Sequence, residues 1–413
     1  MLLKGSDRNA RPVIAALGAS QIIGYGALYY AYAVLAQGIA VEFDVTEANL
    51  FAVFSMGLLV GGLTAPAFGR RIDRHGAPIV MATGSAVIAV LLAALSAAPN
   101  LLVFAVLVVL IEIISFTVLY DAAFATLARH APDNSRSAIT QLTLIAGFAS
   151  TIFWPLTGWL AELVGWRGTY LVFAGLNFGL ALPLHLWISK HPVPEESQSS
   201  TGSKTAVPTR YRLSGSSAWR AFWLVGVGFA LSGMVISAVT VHMVPILLAR
   251  DMGEMAYLVA MMMGPAQVLI RVVDATLWRH LHPVAVAMVA ATALPLAVVA
   301  LVVPGPAIVT GICFAVLLGT GGGLSSIVRG AVPVALFGPD GLGLRLGKLA
   351  AIRNLLGASA PFAFALSTTH LGPEPTLYLT AALGFSGLLV MAALWREVLR
   401  AETVSGIPLP PGG

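Results

Sequence analysis

The chain has 413 residues, 58% of them hydrophobic and only 10% charged, with a mean hydropathy of +0.89. A soluble protein of that composition would expose more apolar surface than water tolerates, so a lipid bilayer is the expected solvent. The net charge of +5 does not point to nucleic acid, because the basic residues follow the ends of apolar runs instead of forming one patch.

The opening segment MLLKGSDRNARP is polar, without a cleavable apolar leader, and residues 1–12 read as a cytoplasmic tail. Apolar runs follow at about 13–40, 48–68, 78–97, 101–127, 138–163 and 169–189, each long enough for a bilayer crossing of ~20 residues. Residues 191–218 are rich in Ser, Thr, Pro and charge and predict a linker. A second set falls at about 219–248, 255–278, 284–303, 306–337, 346–369 and 375–396, before a tail at 398–413. The expectation is an all-α membrane protein of twelve transmembrane helices in two pseudo-symmetric six-helix bundles, residues 13–190 and 219–397.

With the N-terminus inside, basic residues from Lys4, Arg8 and Arg11 through Arg70, Arg71 and Arg74 to Arg396 and Arg400 fall on the cytoplasmic side. Only Arg167 and Arg250 fall outside. Both termini are therefore expected in the cytoplasm. The halves echo each other: Pro78 follows Arg74 as Pro283 follows Arg279, and Asp121 to Pro155 parallels Arg329 to Pro361, an offset of roughly 205 to 208 residues.

The densest charge cluster, GRRIDRHGAP at Gly69 to Pro78, lies between two apolar runs and predicts a short loop. Its anchors Gly69, Asp73, Arg74 and Gly76 resemble the loop between helices 2 and 3 of the major facilitator superfamily. Ala77 and Pro78 stand where that pattern usually has two more basic residues. The resemblance implies that fold and a secondary transporter moving a small solute by alternating access. Physically, Asp73 can face the positive N-terminus of a neighbouring helix or an arginine and hold one conformation until the helices rock apart.

Charged residues left inside predicted spans must pair, face water or bind something. In the eighth helix Gln267, Arg271 and Asp274 share one stripe at i, i+4 and i+7. That segment is also similar to the eighth helix of the oxalate and monocarboxylate branch of the superfamily, which implies Arg271 as an anion ligand. A structural pair with Asp274 is the alternative. Arg329 and Arg353 are further candidates for charge pairs, Arg329 with Asp121 across the internal repeat. Glu112 and Asp121 lie nine residues apart, on opposite faces of a straight helix, and Glu112 is a candidate proton carrier. In the first helix Gln21, Tyr25, Tyr29 and Tyr32 follow helical spacing and suggest a cavity wall, with Trp154 of the fifth helix as a second contribution.

Other chemistry finds no support in the sequence. GTGGG at Gly319 to Gly323 lacks the lysine of a phosphate loop, and His280 and His282 stand without the companions of a metal site. No catalytic triad spacing occurs, so neither an enzyme, a metal nor a cofactor is expected. The reading is a plasma-membrane transporter of the bacterial inner-membrane type, monomeric, moving a small solute, expected to be an organic anion, with protons. A drug or metabolite efflux antiporter is the alternative, and a non-transporting membrane sensor a third.

Overall fold

The computed structural model describes residues 10–191, 213–250 and 252–405, so most of the expected tails and linker lie outside the described residues. Every regular element among the described residues is helical. Eleven stretches are long and apolar enough to cross a membrane. One of them, Ser135–Lys190, has 56 residues, about 84 Å at 1.5 Å per residue, against a hydrocarbon core of ~30 Å. It is two helices meeting at Gly165, whose φ of 68° and ψ of 178° are non-helical. Among the described residues the crossings therefore number twelve.

We label them α1 (Ala10–Phe43), α2 (Glu47–His75), α3 (Ala77–Ser96), α4 (Leu101–His130), α5 (135–164), α6 (166–190), α7 (Gly215–Val241), α8 (Met255–Thr276), α9 (Pro283–Val302), α10 (Ala307–Phe337), α11 (Leu342–Leu371) and α12 (Pro373–Ser405). The chain divides into two compact units: residues 1–196 with 339–351, and residues 197–338 with 352–413.

Local chemistry sets the boundaries. Thr46 accepts the amide of Asn49 at 3.3 Å, and Asn100 Oδ1 accepts Val103 N at 3.0 Å, capping α2 and α4. Pro78 and Pro283, the echoed prolines, each stand in the first turn of a helix, where a missing N–H costs nothing.

Three expectations about helix geometry are corrected. Residues 69–75 are not a loop but the last two turns of α2, and Gly76 alone, with φ of 85°, separates α2 from α3. Arg74 and His75 in the last turn suit the negative end of the helix dipole, and Gly76 takes the left-handed backbone that stops it. Second, α4 is not straight: it breaks at 116–119 and restarts at Tyr120. Third, α1 contains a π-turn, Gly26–Tyr30, which adds a residue and rotates everything after it relative to the α-helical stripe.

In the first unit, Tyr32, Leu35, Ile39, Leu50, Phe104, Trp166 and Phe173 belong to one apolar core. In the second, Val235, Leu247, Leu294, Phe314 and Leu318 form another. The Gly319–Gly323 run is a packing seam: a Cβ at Gly319 would lie 2.6 Å from Met263 O, and one at Gly323 2.7 Å from Ile270 Cγ2, so α8 can approach α10 only because these side chains are absent.

Candidate functional site

Asp73 lies within the first unit and meets the N-terminus of α11. Its Oδ1 accepts Gly343 N and its Oδ2 accepts Leu344 N, both at 2.8 Å. The first turn of a helix presents unsatisfied amides and positive partial charge, so a carboxylate there is bound twice over. The approach is close because both helices carry glycine at the crossing: a Cβ on Gly343 would lie 2.6 Å from Gly69 O, and one on Gly347 2.5 Å from Ala65 O. Asp73 and Gly69 thus share one contact. Gly76 ends the helix, and Arg74 lies in its last turn.

Glu112 is 3% exposed, near the end of the first segment of α4. Gly57 and Gly61 of α2 press on it; a Cβ at Gly57 would come within 2.9 Å of Glu112 Cγ, and one at Gly61 within 2.5 Å of its carbonyl oxygen. Glu112 Oε1 is fully enclosed and meets no hydrogen-bond donor among the described residues. The residue borders a cavity of about 10 Å³, room for roughly one water, together with Tyr32, Phe54 and Tyr170. Such a carboxyl can hold a proton.

Asp121 lies on the other side of the break, in the first turn of the Tyr120–His130 segment, where an acid suits the helix dipole. The break frees carbonyls, and Gln21 answers one of them: its Nε2 donates to Val118 O at 2.8 Å. Gln21 is 0% exposed and Tyr32 is 4% exposed with its hydroxyl donating to Leu50 O at 2.7 Å. Gln21 is engaged in packing, whereas Tyr32, hydrogen-bonded as it is, lines the small cavity beside Glu112. Tyr25 lies 4.6 Å from Tyr120 and Tyr29 lies 5.3 Å from Phe54 by ring centroids, whereas Trp154 pairs with Tyr30 at 6.3 Å. Tyr29 and Tyr30 lie in the π-turn and Tyr32 beyond it, where counting by 100° per residue no longer holds.

In the second unit a cavity of about 240 Å³ opens between α7, α9, α10, α11 and α12. Its wall includes Arg329, Arg353, Ser232, Ser325 and Gly322. Gly233 admits the stem of Arg353, whose Cγ would lie 3.4 Å from a Cβ there. Gln267 Nε2 would lie 3.4 Å from a Cβ on Gly322, but Gln267 itself does not line the cavity. Two guanidiniums with flanking hydroxyls can grip a carboxylate bidentately.

Arg271 does not line this cavity; it is 7% exposed, and Asp274, one turn on, is 1% exposed. The structure thus brings Arg329 and Arg353, which the sequence suggested for charge pairs, to the wall of one cavity, and leaves both Gln267 and Arg271 off that wall. Sequence reasoning missed Ser232, Ser325 and Gly233. The one available signal was that Ser325 and Ser326 stand a turn before Arg329 on one helix face.

The sequence matches the Major Facilitator Superfamily profile over residues 17–325. No curated protein sequence matches the chain. Among solved structures, it superposes on the human organic anion transporter MFSD10 (TETRAN) with a TM-score of 0.69 and 14% identity, over 93% of this chain and 100% of that one. It superposes on the proton:xylose symporter XylE bound to 6-bromo-6-deoxy-D-glucose with a TM-score of 0.66 and 12% identity, over 94% of this chain and 96% of that one. At such identities the likeness speaks for the fold alone. Together with the profile match over most of the sequence, the twelve helices make this multi-pass membrane protein a member of the major facilitator superfamily of transporters.

Proposed function

We propose that the protein is a secondary transporter of a small organic anion, driven by protons, in a plasma membrane with both termini cytoplasmic. The observation that carries the anion reading is the placement of Arg329 and Arg353 on one cavity of about 240 Å³ with Ser232 and Ser325 beside them. An anion leaving water needs donors that stay charged in a poor dielectric, and guanidinium does. The similar fold of an organic anion transporter agrees with this reading. Proton coupling is supported by Glu112, buried with one oxygen that meets no donor, and by the similar fold of a proton:xylose symporter. The Asp73 contact with α11 is proposed to open and close during the cycle.

Equilibrium binding to the purified chain tests the site. Labelled small monocarboxylates, dicarboxylates, sugars and organic cations are titrated into the parent, Arg329→Gln and Arg353→Gln. A carboxylate that binds the parent and is weakened at least tenfold by either substitution supports the site, the worth of one charge-assisted hydrogen bond being about 1.5 to 3 kcal/mol. Cation binding that survives both substitutions overturns it and favours an exporter of cationic compounds.

A further inference from the structure

The second unit holds a larger cavity, about 930 Å³, whose wall shares no residue with the Arg329–Arg353 pocket. It lies at the loop end of the unit, where the chain leaves α7 through the short helix Met243–Leu248, passes from α9 to α10 at Pro304, and turns from α11 to α12 at Gly372. Three loops and the tips of their helices enclose it. Its volume falls within the range of sites for drug-sized ligands, ~300–1,000 Å³.

The wall has a definite chemistry. Arg250 Nη2 is shielded from solvent and donates to no acceptor among the described residues. That nitrogen is out of a ligand's reach, but Arg250 lines the cavity and its guanidinium puts a positive charge in the wall, which favours an anion in that space. The other polar groups have opposite character. Thr310, Thr368 and Thr369 donate their hydroxyl protons to Ala307 O, Phe364 O and Ala365 O of their own helices, leaving oxygen lone pairs as acceptors. His242 Nδ1 lies 2.9 Å from Ala238 O, an arrangement that puts the proton on Nδ1 and leaves Nε2 to accept. Its ring stacks on Phe364 at 4.8 Å, and Ile246 and Leu377 extend the apolar wall. Glu374, in the first turn of α12, borders the same space, and no ion pair joins it to Arg250.

We propose that this cavity is a second binding site, distinct from the Arg329–Arg353 pocket, for an amphipathic monocarboxylate. The ligand's carboxylate takes Arg250, its apolar body lies on Phe364, Ile246 and Leu377, and any hydroxyl or amine it carries faces the threonines. One cation and one carboxylate in the wall select a single negative charge: a second carboxylate would be driven against Glu374, and a bare amine would meet Arg250. This site is built from the cavity's own residues and does not depend on the anion reading of the other pocket.

The probe is octanoate, titrated into the purified full chain, with octylamine and octanedioate as comparisons. Octanoate is expected to bind the parent, and the amine and the diacid at least tenfold more weakly. Arg250→Gln should weaken octanoate at least tenfold, while Arg353→Gln changes it less than twofold. Phe364→Ala, which shortens the apolar wall and keeps Arg250, provides the second variant should Arg250→Gln not fold, and should weaken octanoate more than acetate. No octanoate binding to the parent, unchanged affinity in folded Arg250→Gln, equal effects of Phe364→Ala on octanoate and acetate, or a loss that follows Arg353→Gln instead would each overturn the proposal. The last result would place octanoate in the other pocket.

Discussion

Arg167 grips Glu42: its Nη2 and Nε reach Glu42 Oε1 at 2.6 and 3.0 Å. The other carboxylate oxygen accepts Trp166 Nε1 at 2.6 Å, and the guanidinium also donates to Ser96 O and Ala98 O at 2.8 Å each. One side chain thereby joins the ends of α1, α3 and α6 beside the Gly165 turn. The two side chains are 35% and 42% exposed, so the ion pair itself is screened and is worth about 0 to 1 kcal/mol. The carbonyls are a different matter, because α3 ends there and they have no other partner within the helix.

The expected outcome is unequal. Glu42→Gln should lower stability by at most about 1 kcal/mol, whereas Arg167→Ala should cost about 2 to 3 kcal/mol through the bonds it loses. Thermal unfolding in detergent micelles measures both. Equal effects would show that the ion pair, not the carbonyl contacts, carries the contribution.

Asp73→Asn keeps the size of the side chain but removes the charge that faces the amides of Gly343 and Leu344. A carboxylate at a helix N-terminus is worth about 0.5 to 2 kcal/mol, enough to shift a balance between two conformations severalfold. Equilibrium binding should stay within a few-fold of the parent while transport falls sharply. A variant that loses binding and keeps turnover would refute the assignment of Asp73 to the conformational cycle.

Gly61→Ala places a methyl group 2.5 Å from the Glu112 carbonyl oxygen, a backbone atom that cannot rotate away. Overpacking of this kind costs about 1 to 3 kcal/mol. Lower thermal stability is expected, together with greater solvent access to Glu112. A melting curve identical to the parent's would mean that α2 and α4 have more freedom than the contact implies.

Glu112→Gln keeps the shape of the side chain and removes the titratable group. Exchange of labelled for unlabelled solute across the membrane should survive, and accumulation driven by a pH gradient should disappear. Unchanged accumulation would assign the proton to another acid, with Asp121 and Asp274 next in line.

The helical plan was legible because apolar runs and the charges between them are imposed by the bilayer itself, and the Gly69–Gly76 motif pointed to the family later shown by the profile match. Irregularities inside the runs were not legible. Nothing in GALYY distinguishes a π-turn from an α-turn, and the break at 116–119 carries no proline or glycine to announce it. The break depends on tertiary partners: Gln21 supplies the missing bond to Val118 O, and Gly84 leaves room for Thr117 and Val118. The same limit explains the arginines. Spacing along α8 joined Arg271 to Gln267, but which guanidinium reaches a cavity is decided by how five helices pack, and that is not a property of any one of them.

Whether a small organic anion is the cargo and Arg329 and Arg353 hold it is decided by transport into proteoliposomes. Uptake of a labelled small monocarboxylate, an uncharged sugar and an organic cation is followed under an imposed proton gradient for the parent, Arg329→Gln and Arg353→Gln. The parent should accumulate the anion alone, and each substitution should lower its uptake at least tenfold in protein that inserts and melts like the parent. Accumulation of the sugar or the cation in place of the anion, or anion uptake unchanged in both variants, would contradict it.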